Sequence, residues 1–544
     1  MIYTTCRYAP IELFKGFNEE HKILEVKVKN FSCAENYVHP NLCSYAKAVI
    51  ETVLEENIKE LVLTDCCDAV RRSYDVLQES NQLDFIFLLS LPHKNTEADY
   101  RRFAKSLEKL VKEYSHYKKK EINYDLVMQE IGKNIATKKY IPETNFIRLA
   151  GAHGGEALKK EIKTVFHDIE VVDDTCTGNR HLSLTVDSNR FYETYAKSLL
   201  NQEAPCMRMW FNGERTTVHI KPAGTIYHTI KFCDFYSFDY YQEKKNNQVK
   251  MLKIETESIP QSSGQLLTRL EAFKEELGMD KSLNTIKNGF VLGIDIGSTS
   301  TDLVVMSASK EILASLIAPT STGIDNLIEH LKREVCKKAG INEDDLTKIV
   351  TTGYGRKTTG LKDSISVTEI TCHAKGAHYL CKNARTVIDI GGQDSKVIEI
   401  NENGEVVNFV MNDKCAAGTG RFLEAQARAL NLTLDEMSKM GLNYKNDITI
   451  SSMCTVFAES EVISLVAEKK SKEDIIHGLN QSIANRTYTL IKRVDGKGKY
   501  ILTGGVAQNK GVVQCLEEKL QADIFVSDKA QLCGAIGAAL LALE

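Results

Sequence analysis

LGIDIGSTSTDLVV, residues 292–305, is the stretch that decides the fold of the C-terminal half. A hydrophobic strand places Asp295 near its end. Gly297, Ser298 and Thr299 then let the backbone turn so that its amides face phosphate oxygens. A second strand, DLVVM, follows at once. The unit is therefore a β-hairpin, which argues against a Walker loop and against a dinucleotide fingerprint. Residues 387–400, VIDIGGQDSKVIEI, repeat the design: strand, Asp389, then Gly391, Gly392 and Gln393, then strand. In YILTGGVAQNKGV, residues 500–512, Gly504 and Gly505 end a strand before a helix, and Gln508 follows them.

One such hairpin alone is weak evidence, because Asp and Gly are ordinary turn residues. Two of them followed by a TGG turn resemble the two phosphate loops and the adenosine loop of the actin, hexokinase and Hsp70 superfamily. The resemblance implies an actin-like (ASKHA, ribonuclease-H-like) ATPase fold, in which two subdomains close on ATP. It implies that Asp295 and Asp389 hold Mg2+, usually through water, and orient the attacking water, with Gln393 as a third catalytic residue. Gly297, Ser298, Thr299, Gly391, Gly392, Gly504, Gly505 and Gln508 are the expected nucleotide contacts.

Between the second phosphate loop and the adenosine loop lie NDKCAAGTGRFLEAQARAL and SSMCTVFAESEVISLVA. Each sets a cysteine, Cys415 or Cys454, just before an amphipathic helix. A helix N-terminus has unpaired amides and about half a positive charge, which suits an anionic iron–sulfur cluster. Two thiolates do not complete a four-thiolate set, but a symmetric dimer supplies two from each subunit.

These strings, with TTGYGR and EITCHAKGA, closely resemble the activators of 2-hydroxyacyl-CoA dehydratases and the ATPase subunits of benzoyl-CoA reductase, the BadF/BadG/BcrA/BcrD type. The resemblance covers essentially all of residues 291–544. It implies a homodimer with one 4Fe-4S cluster at the interface, on Cys415 and Cys454, and ATP-driven transfer of a low-potential electron to an iron–sulfur partner. A ferredoxin or flavodoxin is the donor expected by analogy. The competing reading is a sugar or acetate kinase, or a nucleotide-sensing scaffold, with incidental cysteines. Such proteins have no need of NDKCAAGTG or SSMCTVFAES.

The N-terminal half alternates strands and helices: ELVLTD, then DAVRRSYDVLQES, then DFIFLLSLP, and again FIRLAGAHGG, EALKKEIKTVF, IEVVDD. This predicts two small doubly wound α/β subdomains, joined by a charged helical stretch over 95–139. CRYAPIEL, NYVHPNLCSYAKAV, DCCDAVRRSYDVL, VVDDTCTGNRH and GTIYHTIKFCDFYSFDY resemble component D of the same dehydratases and the double-cubane-cluster proteins. That resemblance implies an iron–sulfur cluster on Cys43, Cys67 and Cys233, with Cys66 as the alternative to Cys67. Three protein ligands leave one iron open. A double-cubane cluster needs three more thiolates, which Cys6, Cys33, Cys176 and Cys206 could supply. His153 and His228 are candidates for proton handling.

The 544 residues suggest several domains. The expected division is 1–280, a linker at 281–290, and 291–544, with the cluster segment at 411–468. A net charge of -4 gives no electrostatic reason for nucleic acid or an anionic membrane as partner. No apolar run approaches the ~20 residues that cross a bilayer. The opening MIYTTCRYAPIELFKG lacks a signal peptide's apolar core, so a cytoplasmic location is expected. Disulfides are rare there, so the fifteen cysteines call for ligand, redox or packing roles. Cys336, Cys372, Cys381, Cys515 and Cys533 lie in helical or apolar stretches or have no obvious partner, and are expected to be structural.

Overall fold

The computed structural model describes residues 1–26, 28–136, 145–178, 180–182, 184–202, 206, 209, 221–246, 249–258, 263–279, 289–321, 323–361, 364–412, 416–451, 455–494 and 496–544. Two compact units divide the chain, Met1–Leu270 and Glu271–Glu544. The expected linker, 281–290, lies outside the described residues as far as 288.

In the first unit, β1 (Ile2–Thr4), β2 (His21–Ile23), β3 (Glu60–Thr64) and β4 (Phe85–Leu89) form a parallel sheet in the order β2-β1-β3-β4. ELVLT of β3 is buried at every position, as suits a parallel strand covered on both faces. Helices α1 (Ile11–Gly16), α2 (Ser44–Glu55) and α3 (Asp68–Glu79) belong to this sheet. The charged stretch forms α4 (Glu97–Lys118) and α5 (Tyr124–Ala136). Thr96 and Asp99 close a capping box on α4, whose buried stripe includes Phe103, Leu107 and Tyr114.

A second parallel sheet repeats the topology. It consists of β5 (Phe146–Gly151), β6 (Glu170–Thr175), β7 (Gly224–Ile230) and β8 (Met251–Thr256), in the order β6-β5-β7-β8. Helices α6 (Gly155–Val165), α7 (Phe191–Leu200) and α8 (Asp234–Asn246) accompany it, and α9 (Ser263–Glu276) runs across the division between the units. Both sheets are thus doubly wound in the order 2-1-3-4, the two subdomains expected. Strand order reverses between the first and third strands of each, and crevices form beyond the carboxyl ends there.

The second unit holds two five-stranded sheets of identical design. One has β9 (Phe290–Ile296), β10 (Ser300–Ser307), β11 (Ile312–Pro319), β12 (Leu346–Gly353) and β13 (Ile365–Ser366), in the order β11-β10-β9-β12-β13. The other has β14 (Thr386–Ile390), β15 (Ser395–Ile400), β16 (Val406–Asn412), β17 (Tyr500–Thr503) and β18 (Ile524–Val526), in the order β16-β15-β14-β17-β18. In each, the first three strands pair antiparallel and the last two parallel. This duplicated ribonuclease-H-like sheet is the actin-like fold. Helices α10 (Ile324–Ala339), α11 (Glu369–Leu380), α12 (Gly420–Leu430), α13 (Leu434–Met440), α14 (Thr455–Ala467), α15 (Lys472–Arg493), α16 (Lys510–Leu520) and α17 (Cys533–Leu543) complete it. A Cβ on Gly537 would stand 1.7 Å from the Cys372 carbonyl oxygen, so glycine is what lets α17 press against α11. Cys336, Cys372, Cys515 and Cys533 are buried and Cys381 is half-buried, which fits packing roles.

Candidate functional site

The two sheets of the second unit place their Asp-x-Gly hairpins on one cleft, a cavity of about 350 Å³. It is lined by Asp295, Gly297, Ser298 and Thr299 from the first hairpin, and by Asp389, Gly391 and Gly392 from the second. Gly504, Gly505 and Gln508 line it from the turn after β17. A Cβ on Gly392 would lie 2.1 Å from Thr299 Oγ1, so the two phosphate loops touch. Gln393 is exposed in its turn and does not line the cleft. The lining carboxylate is its neighbour Asp394, which folds back onto Lys396 Nζ at 2.9 Å.

Register gives the two hairpins opposite chemistry. Asp295 sits across from Asp302, whereas Asp389 sits across from Lys396. Burial, and then the neighbouring Asp295 carboxylate, push Asp302 up to about 8. Asp302 Oδ1 is buried without a hydrogen-bond partner among the described residues. A carboxylate pair with an orphaned oxygen fits a divalent cation, and Mg2+ favours oxygen ligands. In the second hairpin, Lys396 Nζ stands 3.3 Å from Asp389, 2.9 Å from Asp394 and 3.4 Å from Glu369. Burial raises Asp389, but His373, Lys396 and the Thr503 hydroxyl outweigh it and hold the carboxyl below its usual range. Burial pushes Glu369 up to about 7 against the pull of Lys396.

Helix α11 brings His373 beneath both aspartates. Its Nε2 is 3.6 Å from Asp295 Oδ2, and its Nδ1 is 3.3 Å from Asp389 Oδ1. The second contact is an ion-pair distance without hydrogen-bond alignment, since Nδ1 has no hydrogen-bond partner among the described residues. Burial opposes the charged imidazolium, but the aspartates prevail and raise His373 well above its ordinary value. His373, Glu369, Asp302, Asp394 and Lys396 escaped the sequence reading. All five lie in the strings LGIDIGSTSTDLVV, VIDIGGQDSKVIEI and EITCHAKGA, but residue type alone does not mark them as cleft residues.

The segment behind Cys415 is tied to the phosphate loop. The amides of Gly420 and Arg421, the first residues of α12, donate to the carbonyls of Gly391 at 2.9 Å and Gly392 at 2.8 Å. Ser395 Oγ donates to the Gly418 carbonyl at 2.8 Å. The leading amides of α12 are therefore committed to the loop and not left unpaired as expected. Gln426 of α12 donates to the Thr455 carbonyl at 3.3 Å, at the start of α14. Cys415 and Cys454 themselves lie outside the described residues. Helix α14 exposes Val456, Phe457, Ile463 and Val466.

In the first unit, Cys43, Cys67 and Cys233 come together, each at a helix N-terminus. Cys43 and Cys67 cap α2 and α3, and Cys233 directly precedes α8. The Cys233 thiol donates to Cys43, and the Tyr45 and Ala46 amides add to this, so Cys43 is held below its usual range despite burial. Cys67 acts electrostatically on both Cys43 and Cys233. Cys66 is hydrogen-bonded to Cys67. A second set forms from Cys6, Cys176 and Cys206, which act on one another. The Tyr236 hydroxyl is 3.2 Å from Cys206 Sγ and also hydrogen-bonds Cys176. Burial raises the Cys6 and Cys176 thiols. Cys33 stands apart, with Glu51 as its main neighbour.

Cys6 follows β1, Cys66 and Cys67 follow β3, Cys176 follows β6, and Cys233 follows β7. These are carboxyl ends at or beside the two switch points. The Arg7 guanidinium, 1% exposed, donates to the Cys176 and Thr175 carbonyls beside the second set. Helix N-termini, a buried cation and six thiols fit an anionic iron–sulfur group. Among the described residues, no three His, Cys, Asp or Glu side chains close around a single ion. Thiolates that hold a multi-iron cluster attach to separate irons and need not converge on one point. His228 is satisfied on both nitrogens, by the Ala152 carbonyl at 3.0 Å and Thr256 Oγ1 at 2.8 Å, which makes it structural.

Fold and cleft together define an ATPase of the actin-like class. The BadF/BadG/BcrA/BcrD ATPase family model matches residues 292–542, and the chain belongs to that family. The model of the 2-hydroxyglutaryl-CoA dehydratase D-component matches residues 6–152 and 159–277. The 2-hydroxyisocaproyl-CoA dehydratase activator of Clostridioides difficile is 41% identical over 255 residues, 47% of this chain and 95% of that protein. The (R)-2-hydroxyglutaryl-CoA dehydratase activating ATPase of Acidaminococcus fermentans is 44% identical over 256 residues, 47% of this chain and 97% of that one. The crystal structure of the Acidaminococcus fermentans (R)-2-hydroxyglutaryl-CoA dehydratase component A aligns at 43% identity and a TM-score of 0.45, over 47% of this chain and 97% of that chain. Among the described residues no helix is long and apolar enough to cross a membrane.

Proposed function

We propose that this chain is an ATP-gated one-electron carrier joined to its own iron–sulfur acceptor. The observation that supports it most is the direct bonding of the second phosphate loop, at Gly391 and Gly392, to the start of α12 behind Cys415. A nucleotide that moves this loop moves the helix. In this reading Cys415 and Cys454 of two subunits hold a 4Fe-4S cluster, which supplies a store for one electron at low potential. The exposed apolar residues of α14 are the surface on which the second copy packs.

The residues of the cleft divide the work. Asp295 and Asp302 hold the metal ion, while Lys396 and His373 balance the carboxylates around Asp389. Asp295 and Asp389 orient the attacking water. The backbone of residues 297–299 and 391–392 receives the phosphates. Closure of the two lobes is driven only by tighter binding of nucleotide to the closed state. Cys43, Cys67 and Cys233 hold the acceptor, which Cys6, Cys176 and Cys206 extend to a double-cubane group. A ferredoxin or flavodoxin recharges the carrier, and a separate dehydratase component is a further acceptor.

The test is two pairs of variants. Cys415→Ser and Cys454→Ser should each remove the four-iron signal of the C-terminal unit and leave ATP binding intact. Asp295→Asn and Asp389→Asn should abolish ATP hydrolysis and leave that signal. A normal four-iron spectrum in either cysteine variant would end the assignment.

A further inference from the structure

Tyr45 is the second residue of α2, two positions beyond Cys43. Only 7% of it is exposed. Its hydroxyl is buried and has no hydrogen-bond partner among the described residues. The ring is fixed from one side by His153, which stacks on it at 4.0 Å between centroids and 19° between planes. His153 follows β5 in the loop at the switch point of the second sheet, and α2 belongs to the first. The hydroxyl therefore lies where the two subdomains of this unit meet.

After burial itself, the leading influences on this hydroxyl are thiols. They are Cys176, Cys66, Cys6 and Cys43, so both cysteine sets are represented. Among the described residues, no carboxylate or amide reaches it as an acceptor. A buried hydroxyl seldom goes unpaired, because water is no longer there to replace the missing bond. The stacked ring also prevents Tyr45 from swinging toward another acceptor. The hydroxyl is thus held ready for a partner that the described residues do not supply. Inorganic sulfide is such a partner, since it accepts hydrogen bonds and lies between thiolate ligands in any iron–sulfur group.

We propose that the Tyr45 hydroxyl donates a hydrogen bond to a sulfide of the iron–sulfur group held between the two thiol sets, and that this bond raises the group's reduction potential. The inference rests on the iron–sulfur reading of this unit. Reduction adds negative charge to the sulfides, so a donor stabilises the reduced form more than the oxidised one. Tyr45 acts as a neutral donor throughout, and no proton is transferred. His153 is a positioning residue that holds the ring at the required angle.

Tyr45→Phe keeps the ring and the stack and removes only the oxygen. In the full chain, assembled anaerobically, iron and sulfide per chain should match the wild type. At a fixed ambient potential, the ratio of reduced to oxidised N-terminal group should fall about tenfold, which is about 59 mV for one electron. An exchangeable proton coupled to the reduced group, seen by proton ENDOR in the wild type, should be missing from the variant. His153→Ala should lower the potential in the same direction and by less. Equal iron with an unchanged ratio and an unchanged proton signal would overturn the proposal. A wild-type N-terminal unit without iron would overturn the reading beneath it, and this proposal with it.

Discussion

The backbone amide of Gly420 donates to the carbonyl oxygen of Gly391 at 2.9 Å. One is the first residue of α12, and the other belongs to the second phosphate loop. Gly420→Pro removes this bond and presses ring carbons on the loop, since even a Cβ there stands 3.3 Å from the Gly391 carbonyl oxygen. Proline suits the first helical position, where the amide has no partner inside the helix. Thr419 is already extended, φ −130 and ψ 176, as a residue before proline must be. Loss of one hydrogen bond costs about 1 kcal/mol, so affinity for Mg-ADP should fall by roughly fivefold or more. Isothermal titration calorimetry measures it, and unchanged affinity would break the link between loop and helix.

Lys396 is the buried counter-charge of three carboxylates, Asp389, Asp394 and Glu369. Lys396→Met leaves them facing one another. Removal of one partner from a buried ion pair costs about 3–5 kcal/mol. The unfolding transition of the C-terminal unit should shift to lower denaturant by that amount, and ATP turnover should cease. A transition at the wild-type midpoint would mean that the charges are balanced elsewhere.

Asp302 sets a pH dependence. Its folded-state value is raised to about 8 from the ordinary carboxylate range. A raised acid contributes stability that is fully present below its unfolded value, near pH 4, and is lost as pH rises through about 8. Without metal, the C-terminal unit should therefore lose stability between about pH 4 and 8. Mg2+ displaces the proton, so its affinity should rise with pH over the same window. Asp302→Asn should flatten the metal-free profile and weaken Mg2+ binding. Thermal unfolding with and without Mg2+ at several pH values tests it, and a variant that keeps the wild-type slope would exclude Asp302.

Among the first unit's thiols, position separates ligands from bystanders. Cys43→Ser, Cys67→Ser and Cys233→Ser should each lose the iron of that unit, while Cys33→Ser should keep it. Cys6, Cys176 and Cys206 should lose part of it if they extend the group. Iron and sulfide assays on anaerobic protein decide among them. Full iron after Cys233→Ser would disprove the convergence at α8.

The sequence showed the lobes of the C-terminal unit because each phosphate loop is a local event, an Asp and glycines between two strands. The α/β order of the N-terminal half was readable for the same reason. What it hid was pairing across distance. That Asp295 faces Asp302 while Asp389 faces Lys396 follows from hairpin register, which the residue types alone do not declare. His373 reaches both aspartates only because α11 runs beneath two sheets. Cys6, Cys176 and Cys206 are far apart in the chain and meet because two sheets share one winding order. Gln393 came with the resemblance as a third catalytic residue, yet the turn leaves it exposed and directs Asp394 inward.

The central claim is that nucleotide gates electron transfer within this chain. The direct measurement is electron paramagnetic resonance of the anaerobic, iron-loaded protein with dithionite, in the presence of Mg-ATP, Mg-ADP or neither. A shift of ~200 mV corresponds to roughly 5 kcal/mol for one electron, within reach of differential nucleotide binding. The expected result is reduction of the N-terminal group only with Mg-ATP, lost in Asp295→Asn and in Cys415→Ser. Equal reduction without nucleotide would contradict the claim.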